Sequence, residues 1–279
     1  MLRRLLCAAA LVSGPLAAAQ DKPKEQPKKL PRIAVSDPKD LKDDKDFAVQ
    51  GEYVGGEGKT KMGAHVIARG EGKFEGKLYG GGLPGDGWDG KNALPFKAAW
   101  KDGKVFLSAT DNGKPVDDFG VIENGVIKVF NMPELKKTER KSPTLGAKPP
   151  EGAVVLFASE GDEKNWENGK LASLSDGKFL AASNPRSKKT FQSFTAHIEF
   201  RLPWMPNSTG QGRANSGVYV QDRYELQVLD SFGLSGENNE CGGFYTLSKP
   251  KVNMCLPPMV WQTYDIEFTA AEFQAGKKT

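Results

Sequence analysis

Cysteine and histidine are scarce in this chain of 279 residues, which contains three cysteines and two histidines. Because no Cys-x-x-Cys pair is present, a zinc site built from Cys and His is poorly supported. No apolar run is long enough to cross a bilayer as a helix. Basic and acidic residues nearly balance, 39 against 35, and no basic strip interleaved with aromatic residues indicates a nucleic-acid interface. The sequence therefore disfavours zinc fingers, helical membrane proteins and nucleic-acid-binding proteins.

The N-terminus has the order of a secretory signal peptide. Two arginines precede a short apolar run, Leu5 to Val12, and small residues follow up to Ala19. Cys7 lies too early to carry a lipid anchor. We therefore predict that residues 1–19 are a signal peptide cleaved near Ala19 and that the mature protein is exported to the periplasm or the extracellular space.

Removal of the signal peptide leaves two cysteines, Cys241 and Cys255. In an oxidising compartment an even pair favours a disulfide. Closing a loop of this length contributes about 3 kcal/mol in the chain-entropy model. Two free buried thiols are the alternative.

Short β-forming runs separated by glycine-rich turns dominate the chain, and helical periodicity is not sustained anywhere after residue 150. Segments rich in lysine and proline divide it. We predict a disordered leader at residues 20–46, a small β-domain of unknown function at 47–133 and a linker at 134–150. A second β-rich domain follows at 151–279, beginning with a strand at 153–157. The predicted fold class is all-β, with a sandwich in the second domain.

The segment from Asn215 to Asp230 has the most informative chemical pattern. It predicts two short strands joined at residues 221–223. In the second strand Glu225 and Gln227 alternate with apolar residues, so their side chains share one face, with Asp230 near the strand end. A carboxylate, an amide and a second carboxylate on one face are typical of sugar-processing β-sandwiches. An ordinary antiparallel strand with its polar side in water is the alternative.

Other motifs stand around this segment in a fixed order. They are Leu156-Phe157 followed by Trp166, the "NSGV" of Asn215 to Val218, the "YE-x-Q-x-x-D" of Tyr224 to Asp230, the turn Gly243-Phe244-Tyr245 and a strand beginning at Trp261. Over about residues 154–268 they resemble the 3-keto-disaccharide hydrolase family, which is also described as 3-keto-α-glucoside 1,2-lyases and 3-keto-2-hydroxyglucal hydratases. The resemblance implies a concanavalin-like β-jelly-roll sandwich with a carbohydrate on its concave face.

The substrates that the resemblance implies are glycosides oxidised at C3. The ketone acidifies the C2 hydrogen, so elimination across C1–C2 needs a base and a group that stabilises the enolate. Hydration of the unsaturated sugar then completes a net hydrolysis. The resemblance makes Glu225 and Gln227 the candidate catalytic residues, with Glu225 as base or metal ligand. A divalent metal ion held by Glu225 and Asp230 is the cofactor it allows, and a turn-capping role is the alternative for Asp230.

Four further side chains are candidates for substrate binding, and each has a structural alternative. Arg201 can anchor the enolate or a hydroxyl group, or pair with charged neighbours on an outer face. Asn215 can hydrogen-bond the sugar or form a turn. Tyr224 and Trp204 can stack on a sugar ring or pack in a core.

The chain ends at Thr279, where family members continue with an Asn-Gly hairpin and a histidine-containing strand. We therefore expect a jelly roll that lacks its C-terminal strands, with an exposed edge and an incomplete site. The leading functional hypothesis is an exported enzyme that cleaves 3-keto-glycosides. A non-catalytic carbohydrate-binding protein and a structural protein of the cell envelope are the alternatives.

Overall fold

The computed structural model describes residues 31–274 and 277–278, so the predicted signal peptide and residues 20–30 of the predicted leader lie outside the described residues. The chain from Pro31 onward forms one compact unit. It is nearly all-β, with 41% strand and 8% helix, which confirms the predicted fold class. The described helices are α1 (Lys45–Val49) and 3-10 helices at Pro38–Leu41, Gly58–Thr60, Asp162–Asn165 and Gly210–Gly212. None of them has the length and apolar character needed to cross a membrane.

Eight antiparallel strands in the first half close into a barrel. They are β1 (Gly51–Gly55), β2 (Met62–Ala68), β3 (Lys73–Gly80), β4 (Ala93–Lys101), β5 (Lys104–Asp111), β6 (Lys114–Glu123), β7 (Val126–Val129) and β8 (Leu135–Thr138). Because β8 pairs back onto β1, this sheet has no free edge. Strand β8 lies in the predicted linker, so the barrel extends past the predicted boundary at residue 133.

The barrel interior is apolar because alternate side chains of its strands point inward. Val66, Leu78 and Leu107 are at most 2% exposed there. Leu41, from the predicted leader, is 3% exposed and belongs to the same cluster. The part of that leader from residue 31 onward is therefore ordered, since its apolar residues find partners on the barrel.

The second half contains shorter strands, which pair two by two among the described residues. They are β9 (Trp166–Glu167), β10 (Leu171–Leu174), β11 (Gly177–Leu180), β12 (Arg186–Ser187), β13 (Phe194–Arg201), β14 (Ser216–Val220), β15 (Tyr224–Val228), β16 (Trp261–Phe268), β17 (Phe273–Gln274) and β18 (Lys277–Lys278). The longest pair, β13 with β16, is in register over its whole length. These antiparallel pairs are consistent with a sandwich of the jelly-roll type. The predicted strand at 153–157 does not form.

Two apolar clusters join the halves of the compact unit. Trp204 comes from the second half but packs in the barrel cluster, where its ring lies edge-on to Phe47 at 5.2 Å between centroids. Ile67 comes from β2 but packs with Leu202 and Phe232 of the second half. Each cluster therefore takes side chains from both halves, and neither half buries its apolar residues alone.

Candidate functional site

The candidate site lies on the hairpin of β14 and β15, as the sequence pattern predicts. The two strands pair antiparallel, with Tyr219 opposite Glu225 and Gly217 opposite Gln227. The backbone between them turns through Gln221 and Asp222, with φ of 54° and 50°. Left-handed residues in such a turn match the right-handed twist of the flanking strands.

An irregular segment lies along the other edge of β15. The backbone amide of Gln227 donates to the Gly243 carbonyl at 2.9 Å, and the amide of Tyr245 donates to the Glu225 carbonyl at 3.0 Å. This pairing places Tyr245 next to Glu225 on the side opposite to Tyr219. The family motif at Gly243 to Tyr245 therefore contacts the strand that carries Glu225.

Glu225 stands in a row between two exposed tyrosines. Tyr219 is 59% exposed and Tyr245 is 38% exposed, and cross-strand neighbours of this kind share one face of a sheet. We call Tyr219, Glu225 and Tyr245 the tyrosine row. It presents two phenols to solvent, and the half-buried side chain of Glu225 lies between them.

The carboxylate of Glu225 is held by its neighbours on the hairpin. Tyr219 Oη donates to Oε2 at 2.8 Å, and the side-chain amide of Gln227 lies 3.0 Å from Oε1. A Cβ atom on Gly217 would lie only 2.2 Å from Oε1, so glycine provides the space that the carboxylate occupies. The hydrogen bond to Glu225 raises the pKa of the Tyr219 phenol, because a charged acceptor favours the protonated donor.

Gln227 lies beneath the row and joins it to a cluster of amides. It is fully buried, and the end of its side-chain amide that faces away from Glu225 lies 2.9 Å from Gln211 Oε1 and 3.4 Å from Asn215 Oδ1. Asn215 donates to the same Gln211 oxygen at 3.1 Å. The structure therefore brings Gln227 and Asn215 to Glu225, as the sequence predicts, but it buries the Gln227 amide as a support for the carboxylate.

From the sequence, no site role is predicted for Tyr219, Gly217, Tyr245 or Gln211, although Gly217 and Tyr245 stand in the family motifs. Counting outward from the turn at residues 221–223 gives the pairing of Tyr219 with Glu225 and of Gly217 with Gln227. The motif Gly243-Phe244-Tyr245 is the only sequence signal for Tyr245, and no pattern marks Gln211, because both residues reach the site from irregular segments.

Asp230 is used differently from Glu225. It is 3% exposed, its Oδ2 accepts a hydrogen bond from Arg213 Nε at 2.5 Å and its Oδ1 accepts from the Phe232 amide at 3.3 Å. Arg213 also reaches the Ala68 carbonyl of β2 at 3.4 Å. Asp230 therefore caps the turn after β15 and forms a buried ion pair that ties the hairpin to the barrel.

The residues present do not fit the divalent ion that the family resemblance allows. The carboxylate of Asp230 is bound to Arg213, and that of Glu225 is bound to Tyr219. Within residues 31–274 and 277–278, no group of three or more His, Cys, Asp or Glu side chains is arranged to hold a metal ion. Metal dependence of the protein stays a prediction.

Arg201 lies on another pair of strands and has other partners. Its guanidinium stacks on Phe179 and Trp261, with 5.4 and 5.1 Å to the ring centroids, and it forms an ion pair with Asp176. It also donates to the Ser36 carbonyl at 3.2 Å. Arg201 thus has a charged partner, as in its structural alternative, but its side chain is buried and not on an outer face. None of these contacts brings it to the tyrosine row.

The two predicted ring-stacking residues pack within the protein. Trp204 is 1% exposed in the barrel core and its Nε1 donates to Asp44 Oδ2 at 3.2 Å, which leaves no ring face for a sugar. The placement of Trp204 therefore corrects the stacking prediction. Tyr224 is half-buried, with its ring centroid 6.5 Å from that of Phe268, in keeping with the packing alternative.

Cys241 and Cys255 are buried neighbours and both are thiols in this structure. The hydrogen bond between them lowers the pKa of Cys241, and the same contact raises that of Cys255. Tyr264 Oη lies 3.1 Å from Cys241 Sγ and donates to the Gln227 carbonyl at 2.5 Å. The contact between Cys241 and Cys255 is compatible with the predicted disulfide, which stays a prediction.

One comparison with known proteins matches the chain. The model of a family described as the 3-keto-alpha-glucoside-1,2-lyase-like domain matches residues 80–277, which is well over half of the 279 residues. The chain belongs to this family. The match includes the whole tyrosine row and also β4 to β8 of the barrel, which the motif resemblance left out. Comparisons with curated proteins and with solved structures give no match.

Membership of the 3-keto-alpha-glucoside-1,2-lyase-like family supports a carbohydrate-active function of the hydrolase or lyase type. The tyrosine row offers the groups that such chemistry needs. The half-buried Glu225 carboxylate can accept a proton, and the neighbouring exposed phenol of Tyr219 can donate one.

Proposed function

We propose that this protein is an exported carbohydrate-active enzyme that cleaves 3-keto-glycosides by elimination followed by hydration. The observation that carries the proposal is the position of Glu225. In a chain of the 3-keto-alpha-glucoside-1,2-lyase-like family, Glu225 is a half-buried carboxylate held between Tyr219 and Gln227. Such a group can take the C2 proton that the C3 ketone acidifies.

The neighbours of Glu225 divide into positioning and contacting groups. Gln227 and Gly217 position the carboxylate, one through its buried amide and the other through the space that it leaves. Asn215 is exposed beside the Gln227 amide, where its side chain can hydrogen-bond a sugar hydroxyl. Tyr219 and Tyr245 border the carboxylate and are accessible to a sugar ring.

A non-catalytic carbohydrate-binding protein is the second candidate, and one observation favours it. Among the described residues, the hydrogen-bonding partners of Glu225 include no second acid. Tyr219 and Tyr245 are exposed on either side of it, and exposed apolar surface bordered by polar groups marks ligand-binding sites. A protein of this kind would bind the sugar and leave it intact.

The two candidates separate when the full-length protein is incubated with 3-ketosucrose, with sucrose as the control substrate. We expect sugar release from the oxidised substrate alone, and a loss on the order of 10²-fold or more in Glu225→Gln. Equal release by wild type and Glu225→Gln contradicts the assigned role of Glu225. Binding of 3-ketosucrose without release identifies the second candidate, and a parallel reaction with EDTA tests the predicted metal dependence.

A further inference from the structure

The hydrogen bond between Tyr219 and Glu225 joins two proton-transfer groups on one accessible face. The donor and acceptor oxygens are 2.8 Å apart, and the Tyr219 side chain is 59% exposed. Elimination of an alcohol involves two proton transfers, one from C2 to a base and one to the departing oxygen, and separate acid and base groups can catalyse both. The hairpin register supplies both from opposite residues of β14 and β15.

We propose that Tyr219 and Glu225 form a proton-transferring dyad in which Glu225 is the base and Tyr219 is the acid that protonates the leaving oxygen. The dyad rests on the proposed function. Tyr245 also borders Glu225 but bonds to it only through its backbone amide. The geometry therefore distinguishes Tyr219 from the other tyrosine of the row.

The elimination step balances with these two groups alone. Glu225 takes the proton from C2, the electron pair of that C–H bond forms the C1–C2 double bond, and the C1–O bond to the alcohol breaks. The departing oxygen keeps the electron pair of the broken bond and receives the phenolic proton of Tyr219. The alcohol leaves, and the dyad holds one protonated carboxyl and one phenolate, with the same net charge as before.

Hydration is the reverse of this step with water in place of the alcohol. The Tyr219 phenolate takes a proton from water as the water oxygen bonds to C1. The electron pair of the double bond then takes the proton from the Glu225 carboxyl to form the C2–H bond. The dyad returns to one carboxylate and one phenol, so no proton is exchanged with solvent between the two steps.

The charge on Glu225 explains why the phenol donates at the right moment. In the resting site the hydrogen bond to the carboxylate raises the pKa of Tyr219. When Glu225 takes the C2 proton, this charge disappears and the phenol becomes more acidic. The 2.8 Å contact also lets the new carboxyl donate a hydrogen bond to the phenolate as it forms.

Tyr219→Phe tests the dyad because it keeps the ring and removes only the hydroxyl. We compare 3-ketosucrose, whose leaving group is a poor one, with 4-nitrophenyl 3-keto-α-glucoside, whose leaving group needs no protonation. With 3-ketosucrose the variant is expected to lose about 10²-fold or more in kcat. With the nitrophenyl substrate, nitrophenol release is expected to stay near the wild-type rate, and the 3-keto-2-hydroxyglucal is expected to accumulate because hydration still needs the phenolate.

Tyr245→Phe is the matched control, since it removes the other phenol of the row. It is expected to change the rates for both substrates by one common factor. Equal slowing of both substrates in Tyr219→Phe, with an unchanged thermal unfolding midpoint, overturns the dyad, and so does unchanged activity on 3-ketosucrose. A wild-type protein that cleaves neither substrate contradicts the proposed function itself, and the dyad with it.

Discussion

At the scale of single residues, Gly217 determines where the Glu225 carboxylate lies. Its φ is not positive, so its backbone conformation is open to any L-residue. The restriction is the space above it, because a Cβ would lie 2.2 Å from Glu225 Oε1. A small side chain at this position is therefore expected to move the carboxylate without unfolding the hairpin.

Gly217→Ala is expected to reduce sugar release from 3-ketosucrose by on the order of 10²-fold, because a displacement of about 1 Å in a reacting group costs that much. The folded protein is expected to stay as stable as wild type, since alanine is favoured over glycine in strands by about 0.5–1 kcal/mol. Activity and thermal unfolding are measured together. Gly80→Ala is the control, because a Cβ on this strand glycine meets Asn92 at an ordinary 3.6 Å. Wild-type activity in Gly217→Ala contradicts the prediction.

A second residue-scale feature is a buried charged cluster on the outer face of the barrel. Glu52 is 0% exposed and accepts hydrogen bonds from Arg140 Nε at 2.9 Å and Nη2 at 2.5 Å. His65 Nε2 lies 3.1 Å from the same carboxylate, and Tyr79 Oη lies 3.2 Å from His65 Nδ1. A neutral imidazole protonated at Nε2 satisfies both neighbours. The charge of Glu52 is thus balanced by Arg140 alone.

Arg140→Ala is expected to destabilise the protein by about 3–5 kcal/mol, because it leaves the Glu52 carboxylate buried without its cation. The free energy of unfolding in urea measures the loss. Adding Glu52→Gln to the variant removes the uncompensated charge and is expected to recover part of the stability. A double variant no more stable than Arg140→Ala contradicts this explanation.

The same cluster predicts that acid destabilises the protein. Burial lowers the pKa of His65 below its ordinary 6.5. Burial alone would raise the pKa of Glu52, but hydrogen bonds from His65 and Arg140 hold it below 4.5. Both groups bind protons more tightly when unfolded, so the stability that they contribute is present above these values and is lost as pH falls.

We therefore expect the free energy of unfolding to decrease below pH 6.5 through His65 and further below pH 4.5 through Glu52. His197 acts in the opposite direction, because its hydrogen bond to Asp265 raises its pKa and its contribution is lost as pH rises. Urea unfolding at a series of pH values measures the slope. In a His197→Gln background, adding His65→Gln is expected to flatten the slope of the free energy of unfolding between pH 6.5 and 5. An unchanged slope contradicts its assignment to His65.

At the scale of elements, the local pattern predicts the hairpins well and their partners poorly. Alternation in the sequence gives β14 and β15 nearly to the residue. Strand β6 has no such alternation because its first half is polar and contains Pro115, and β8 has none because two lysines follow its one buried residue, Leu135. The Tyr245 segment joins β15 through a few backbone bonds, which leave no periodicity in the sequence.

The segment between Cys241 and Cys255 gives the element-scale prediction. If the pair forms the predicted disulfide, reduction is expected to lower the free energy of unfolding by about 3 kcal/mol for a loop of roughly 15 residues. Urea unfolding with and without a reducing agent measures this, and Cys255→Ser is expected to abolish the difference. Two titratable thiols in the protein unfolded without reducing agent would show that the disulfide is absent.

At the scale of the whole molecule, contacts between residues far apart in the chain are the features that local sequence patterns do not predict. The lysine-rich stretch after residue 133 predicts separate domains, yet Arg140 from it reaches Glu52 in β1, and Thr144 donates to Asp265 in β16 at 2.6 Å. From the sequence Trp204 is a candidate sugar contact, because aromatic residues serve both in binding sites and in cores. Only its position inside the barrel cluster decides between them, and that position depends on residues far away in the chain.

Because the two halves share both apolar clusters, we expect them to unfold in one cooperative transition. Trp100 lies in the barrel strand β4 and Trp261 lies in β16. A variant whose only tryptophans are Trp100 and the buried Trp204 therefore reports on the barrel. A variant whose only tryptophans are Trp261 and Trp204 reports on the second half. Their unfolding midpoints are expected to coincide. Trp204→Ala is expected to cost about 3–5 kcal/mol and to shift both midpoints together, since Trp204 belongs to the second half and packs in the barrel cluster.

Phe130→Ala is the control for this last experiment, because Phe130 is also a large aromatic residue but is 84% exposed. A surface substitution of this kind changes stability by no more than about 0.5 kcal/mol. Separate midpoints for the two reporters, or a shift in the barrel reporter alone on Trp204→Ala, would show that the halves are independent domains. Coincident shifts mean that the barrel supports the hairpin carrying Glu225, in agreement with the Asp230–Arg213 ion pair that reaches Ala68 of β2.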